Sequence, residues 1–423
     1  MTDTVTKPKL PPGFKFDPYS IEAMTNPLPF YKVLRECAPV YYNEEYDTFY
    51  LSRYREVMEL LSIADGSVTA RESTRTPREV LLRHNTEAPA PVGTEEPLPM
   101  HHLHDYPVYD NLRQAHSRPL RAGRIKALAD FIRAQATERL DILLPRGKFD
   151  LTQQYGGIVA ASTMCHLFHV PLSEAKYVLD TVNLGSLSDP DLEGGSDETL
   201  VERMFRDTTA IVEPLVRQRR AEGPDGSWPL VDGSLELELD GRKLTDREIS
   251  ETIVAVLIGG SETVPKVVAH GLWELARHPD QLEEVRSDLA ANVPIAWREM
   301  VRLCAPAQWF MRTVVKPVVI GGQEMRPGQR VGYLAASAGR DESEYGEDSE
   351  EFRWNREIDH LISFGQGQHF CVGIHLANLE GPILVEEFLR RVEGYEIDAA
   401  KAVRRPSHFQ WGWNEMPVSV VEA

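Results

Sequence analysis

The 423-residue chain predicts a mostly α protein with small β-sheets, folded as a single domain. Most of its length reads as helix, and the clearest helix, Thr245 to Arg277, has both a start signal and a stop signal. Strand signals are short and local, best seen in Lys316 to Tyr333 with its Gly321-Gly322 and Pro327-Gly328 turns. Length alone suggests about three domains. That expectation yields to a third observation: the motifs able to carry chemistry, spread from Tyr109 to Cys371, make sense only if they converge on one site.

Composition narrows the function. The chain is 42% hydrophobic and 26% charged, ordinary for a globular protein with a large core. Its 46 Lys and Arg against 65 Asp and Glu give a formal charge of −19, which argues against nucleic acid or an anionic membrane as partner. The four cysteines, Cys37, Cys165, Cys304 and Cys371, lack any Cys-x-x-Cys spacing. A zinc site is therefore set aside, and a reducing compartment fits. Residues 1–17 read as a polar, proline-punctuated extension with no apolar signal region, and residues 18–423 as the folded domain. A soluble, cytoplasmic protein is expected.

Arg71 to Pro107, rich in Pro, Thr and Glu, and Ser186 to Glu198, with Asp189-Pro190-Asp191 and Gly194-Gly195-Ser196, read as mobile or irregular loops. Between them Arg113, Arg118, Arg121, Arg124 and Lys126 cluster, a pattern that a solvated helix face also produces. The long helix opens with Thr245-Asp246-Arg247-Glu248, a capping box, and ends at His278-Pro279. At about 1.5 Å per residue it spans roughly 50 Å and must cross the molecule. Its run Ile253 to Ile258 is too continuous for a surface helix, so the middle is buried. In that middle stands Gly259-Gly260-Ser261-Glu262-Thr263-Val264-Pro265. Two glycines cost about 1 kcal/mol each in a helix and proline more, so packing alone would not select them. Space beside the helix, flanked by a carboxylate and a hydroxyl, would. Further on, Glu299 and Arg302 share a helical face. Last comes Phe364-Gly-Gln-Gly-Gln-His-Phe-Cys371-Val-Gly373, a glycine-rich turn presenting one thiol ahead of an apolar helix. A thiolate held there can ligate a haem iron, the glycines letting backbone approach a flat macrocycle.

This last segment closely resembles the haem-binding loop of the cytochrome P450 superfamily, with Phe364, Gly365, Gly367, His369, Cys371 and Gly373 in the family's register. Gly259-Gly260-Ser261-Glu262-Thr263 resembles the family's oxygen-binding groove, and Glu299-x-x-Arg302 with Arg356 its buried Glu-x-x-Arg network. The resemblance runs from about Pro18 onward. It implies haem b, with Cys371 as the iron ligand and His369, Arg312 and Arg113 on the propionates. The family usually has histidine where this chain has Tyr109, so either Tyr109 or one of His101, His102 and His104 would complete that set. Gly259 and Gly260 would make room for dioxygen, Thr263 would hydrogen-bond it, and Glu262 would relay protons. Glu299, Arg302 and Arg356 would hold the Cys loop.

The activity implied is monooxygenation: hydroxylation, or oxidative dealkylation, of a small-to-medium apolar organic molecule using O2. Electrons would come from a separate ferredoxin and ferredoxin reductase, docking beside the basic run from Arg113. Family position suggests that Arg71 to Pro107, Leu184 to Val212, Trp309, Phe310, Phe409 and Trp411 line or cover the substrate pocket, although plain core packing accounts for the four aromatics equally well. A peroxide-driven peroxygenase and a non-catalytic haem sensor are the alternatives. Neither requires Glu262-Thr263.

Overall fold

The computed structural model describes residues 9–188 and 199–422. The long helix runs Asp246–Arg277, 32 residues. Thr245 and Glu248 form the expected reciprocal cap, and His278 precedes Pro279 at the other end. Helix continues through Gly259 to Pro265 without interruption, so the expected gap is lateral and not a break in the rod. By length and composition this helix could cross a membrane, but 67% of its apolar window is buried inside the protein. Ile249, Ile253, Val254, Leu257, Val268, Leu272 and Leu275 are all 0% exposed. Burial on this scale, about 1.5–3 kcal/mol per such side chain, identifies a core element around which other helices pack.

Against it lie the helices Leu200–Glu222, Ile158–Leu167, Leu289–Cys304 and Ile374–Arg391. Sheet is marginal. Five short strands lie in the spatial order Val40–Asn43, Thr48–Leu51, Arg330–Tyr333, Phe310–Val314, Val68–Thr69, antiparallel except between Thr48–Leu51 and Arg330–Tyr333. The expected hairpin pairs Val318–Ile320 with Gln323–Met325 across Gly321-Gly322. A third group joins Val392–Ile397, Pro417–Glu422 and Lys148–Asp150.

Among the described residues before Pro18, Phe16 is 0% exposed and meets Tyr31 and Tyr50 edge-on. Segment 71–107 carries only the turns of helix Arg78–Leu81 and His101–Leu103. It is pinned at intervals, by Arg71 on Asp105 at 2.8 Å, Glu72 on Arg330 at 2.9 Å, and the Leu98 amide donating to Glu248 at 2.6 Å. The cap of the central helix thus also anchors the strap that passes over its start. Most of the loop expected at Ser186 to Glu198 lies outside the described residues.

One close approach gives a test of the packing. Gly381, inside Ile374–Arg391, faces the Trp297 indole so closely that a Cβ would fall 2.2 Å from the ring. Trp297 is 2% exposed and its Nε1 donates to Asn378, so the ring has nowhere to go. Alanine for glycine in a helix ordinarily gains about 1 kcal/mol. Here Gly381→Ala should instead lose about 1–3 kcal/mol through overpacking. A denaturant titration showing equal or greater stability would refute this contact.

Candidate active site

The Cys loop is built from two left-handed glycines, Gly365 at φ 71° and Gly367 at φ 73°. A side chain at Gly367 would also strike the Leu61 carbonyl, at 2.7 Å. The resulting turn returns the Cys371 amide to the Phe364 carbonyl at 2.9 Å and leaves both side chains partly accessible. Burial raises the thiol's pKa, while the Gly373 amide on the sulfur and the nearby Arg113 charge pull it down. Gly373 then starts the helix Ile374–Arg391, which packs on the central helix.

Ahead of this loop in sequence, a buried carboxylate ties the chain together. Glu299 takes both Nε and Nη2 of Arg302, at 2.6 and 2.7 Å, and Nε of Arg356 at 3.1 Å. The remaining guanidinium hydrogens go mostly to backbone, Arg302 to the carbonyls of Gly339 and Ser349 and Arg356 to those of Tyr345 and Asp348, while Arg356 Nη1 also donates to the Asp348 carboxylate at 2.8 Å. Glu299 and Arg302 are 0% exposed, Arg356 3%. The three residues expected as a network are one.

On the central helix, Gly259 is exposed, and a Cβ built there meets nothing within 4 Å. Thr263, one turn on, is partly accessible on the same face, its hydroxyl donating to the Gly259 carbonyl at 3.0 Å. Open space therefore lies beside an otherwise buried helix. Two expectations need correction. At Gly260 an added Cβ would lie 2.3 Å from Met164 Sδ, so the space there is filled by methionine. Glu262 is 3% exposed, off the open face, and held by Lys266 Nζ and Ser186 Oγ at 2.5 Å each. Successive helix residues point about 100° apart, so Glu262 and Thr263 cannot both face the gap.

Near Cys371 lies a cluster of basic groups without acids. The Tyr109 ring is 4.3 Å from that of His369, and Tyr109 Oη is 3.5 Å from Arg113, which also donates to the Phe370 carbonyl. Arg312 is 7% exposed, with its guanidinium over Tyr333. His369 is driven down to about 2 by burial, then by Arg312, His102 and Arg113. Among the described residues no carboxylate pairs with Arg113, Arg312 or Arg75. Buried cations demand anions, and a cofactor bearing two carboxylates, ligated through a thiolate below an open helix face, fits this donor set. Arg75, unmarked in the sequence, joins the cluster: its charge depresses both His102 and His408. Tyr109 occupies the place expected of a histidine, and His101 and His102 stand beside it in the 3-10 turn His101–Leu103.

The four aromatics expected at the substrate pocket divide. Phe310 and Phe409 meet edge-on at 5.3 Å, both partly accessible, with Arg75 over Phe409 at 5.2 Å. Trp309, just before the strand Phe310–Val314, is 0% exposed among Tyr19, Tyr50 and Met311. Trp411 is 2% exposed and faces His270, Arg340 and Arg404 instead. These two indoles are core.

The sequence and the fold have counterparts among known proteins. The family model "Cytochrome P450" matches residues 187–394. Putative cytochrome P450 123 of Mycobacterium tuberculosis is 29% identical, over 97% of this chain and 98% of that protein. Putative cytochrome P450 126 of the same organism is 31% identical over 68% and 69%. The methyl-branched lipid omega-hydroxylase of M. tuberculosis is 27% identical over 74% and 73%, and the steroid C26-monooxygenase of Mycolicibacterium smegmatis 33% over 52% and 55%. Among solved structures, Mycobacterium marinum cytochrome P450 CYP150A6 superposes with a TM-score of 0.80 at 21% identity, covering 96% of this chain and 99% of that one. The chain belongs to the cytochrome P450 family. It is a haem-thiolate monooxygenase.

The buried histidines make a pH prediction. Burial, with the Arg113 charge adding to it, lowers His116 to about 4, and burial with the Arg75 and Arg312 charges likewise lowers His102 to about 4. Both are neutral when folded, whereas the unfolded chain protonates near the ordinary value of about 6.5. Stability of the cofactor-free protein should therefore hold above pH 6.5 and fall between 6.5 and 4 as the unfolded state takes up more protons. His116→Leu should make the fall shallower by up to about 1.4 kcal/mol per pH unit in that window. An unchanged slope in urea titrations across the range would contradict it.

Proposed function

We propose that this protein binds haem b through Cys371 and hydroxylates, or oxidatively dealkylates, an aliphatic carbon of an apolar lipid-like or sterol-like molecule. The observation that carries the reading is the open face at Gly259 and Thr263 on a buried helix, joined by packing to the helix that follows Cys371. When bound, the haem iron supplies reductive activation of O2. Arg113 and Arg312 would neutralise its carboxylates, and the uncharged His369 and Tyr109 would hydrogen-bond and orient them. Phe364, Phe370 and Val372 shield the thiolate from water, and the Gly373 amide donates to the sulfur.

Thr263 leaves its oxygen lone pairs toward the groove, since its own hydrogen is engaged by Gly259. Behind it Glu262 accepts hydrogen bonds from Ser186 Oγ and Lys266 Nζ, and protons reach the groove through this chain of donors. Phe310 and Phe409 offer apolar surface, and Arg75 beside them a positive charge at its edge. The substrate class rests on the relatives named for methyl-branched lipid and steroid oxidation. A separate ferredoxin and its reductase supply electrons in the cytoplasm: Arg118, Arg121, Arg124 and Lys126 are exposed without ion pairs among the described residues, and the turn Ala122–Ile125 packs on Ile374–Arg391. Segment 71–107 covers the substrate opening.

Carbon monoxide added to the reduced protein should give the red-shifted thiolate band, and Cys371→Ser should abolish it; a retained band would remove Cys371 from the iron. Thr263→Ala should bind haem and substrate normally yet send reducing equivalents to hydrogen peroxide. NADH oxidation still fully coupled to product would exclude Thr263 from proton delivery. Branched fatty acids and sterols should differ from polar controls in shifting the haem from low to high spin.

A further inference from the structure

About two turns beyond Thr263 on the central helix, a cavity of about 500 Å³ is walled by Leu28, Trp273 and Trp411. None of the residues placed at the haem lines it. Its charged lining is basic, with Lys32, Arg277, Arg340 and Arg404 against Glu274 and Glu350. Both carboxylates are already committed: Glu350 lies 2.5 Å from Arg35 and 3.6 Å from Lys32, and Glu274 lies 3.1 Å from Arg277. Arg340 and Arg404 are left without an acid among the described residues.

Their settings differ usefully. Arg340 is 5% exposed and spends two nitrogens on the carbonyls of Ala336 and Leu303, so it contributes fixed charge. Arg404 stacks on Trp413 at 3.9 Å and Trp411 at 5.0 Å, and its Nε has no partner, which leaves a guanidinium fork free. His270 lines the same cavity at 3% exposure with neither ring nitrogen hydrogen-bonded, its Nε2 standing 3.6 Å from the Glu274 carboxylate, and Trp411 Nε1 is likewise unpartnered. Buried polar groups without partners are expensive. Here a free fork, an imidazole and an indole N–H occur together in one hollow with aromatic walls, on a protein whose overall charge is −19.

We propose that this cavity is a second ligand site, for a small organic carboxylate with an apolar body. The carboxylate meets the Arg404 fork and the His270 and Trp411 N–H groups under the charge of Arg340, and the body lies against Trp411, Trp273 and Leu28. A guanidinium fork matches a carboxylate in two parallel hydrogen bonds, and aromatic walls favour a flat apolar group over a bare inorganic anion.

Calorimetric titration of the haem-loaded protein with 2-naphthoate, 2-naphthalenemethanol and inorganic phosphate tests it. Naphthoate should bind at one equivalent without changing the haem absorption. The alcohol and phosphate should bind at least about tenfold more weakly, the scale of one lost charge-assisted hydrogen bond. Arg404→Gln should weaken naphthoate by at least about the same factor, and Lys32→Glu, at an exposed rim position that tolerates any side chain, should weaken it more modestly. No naphthoate binding, equal binding of the alcohol, a haem spin shift on naphthoate addition, or wild-type affinity in both variants would each overturn the proposal.

Discussion

One carboxylate organises the proximal half of this molecule. From Gly339 to Phe364 the chain has almost no regular structure beyond single turns, so its backbone carbonyls need partners from outside. Glu299 supplies them indirectly, by fixing Arg302 and Arg356 in orientations where their other hydrogens reach carbonyls along that stretch. Such a buried group is weak evidence for stability, since well-packed hydrocarbon often does as well. Removing one member is another matter, costing about 3–5 kcal/mol because charge is left stranded. The network's use is specificity: it gives an irregular segment one conformation, and that segment delivers the Cys loop.

The central helix imposes the complementary constraint. A rod buried on nearly every side can offer a reaction space only where side chains are missing, and Gly259 provides that omission. The acid next to it turns away and is neutralised from within the same helix by Lys266. The groove is thus lined by hydroxyl and backbone, with charge kept one layer behind.

Much of this was legible in residues alone. The Thr245 cap, the Pro279 stop, the Gly321-Gly322 hairpin and the Glu299 pairing are local patterns whose physics does not depend on distant neighbours, and each is found as expected. The thiol loop was legible because its glycines and its cysteine are read together. What escaped depended on long-range packing or side-chain direction. Trp309, just ahead of its strand, and Trp411, in an irregular segment after Pro406, both lie where no periodicity assigns a side. Arg75 gave no signal, being one arginine among many in a loop. Lys266 did give one, four residues after Glu262 in an apolar helix, and that spacing alone points to an internal ion pair.

The basic cluster around Arg113, Arg312 and Arg75 has a consequence for how cells make this protein. Without its prosthetic group the polypeptide holds the buried Arg312 and the partly buried Arg75 and Arg113 with no carboxylate paired to them among the described residues, which leaves positive charge uncompensated in the fold as translated. Haem therefore acts as a late structural subunit whose supply sets the yield of mature protein. Production in a host starved of iron or porphyrin precursors would leave a population held short of its final packing and open to proteolysis, whatever the level of its messenger RNA.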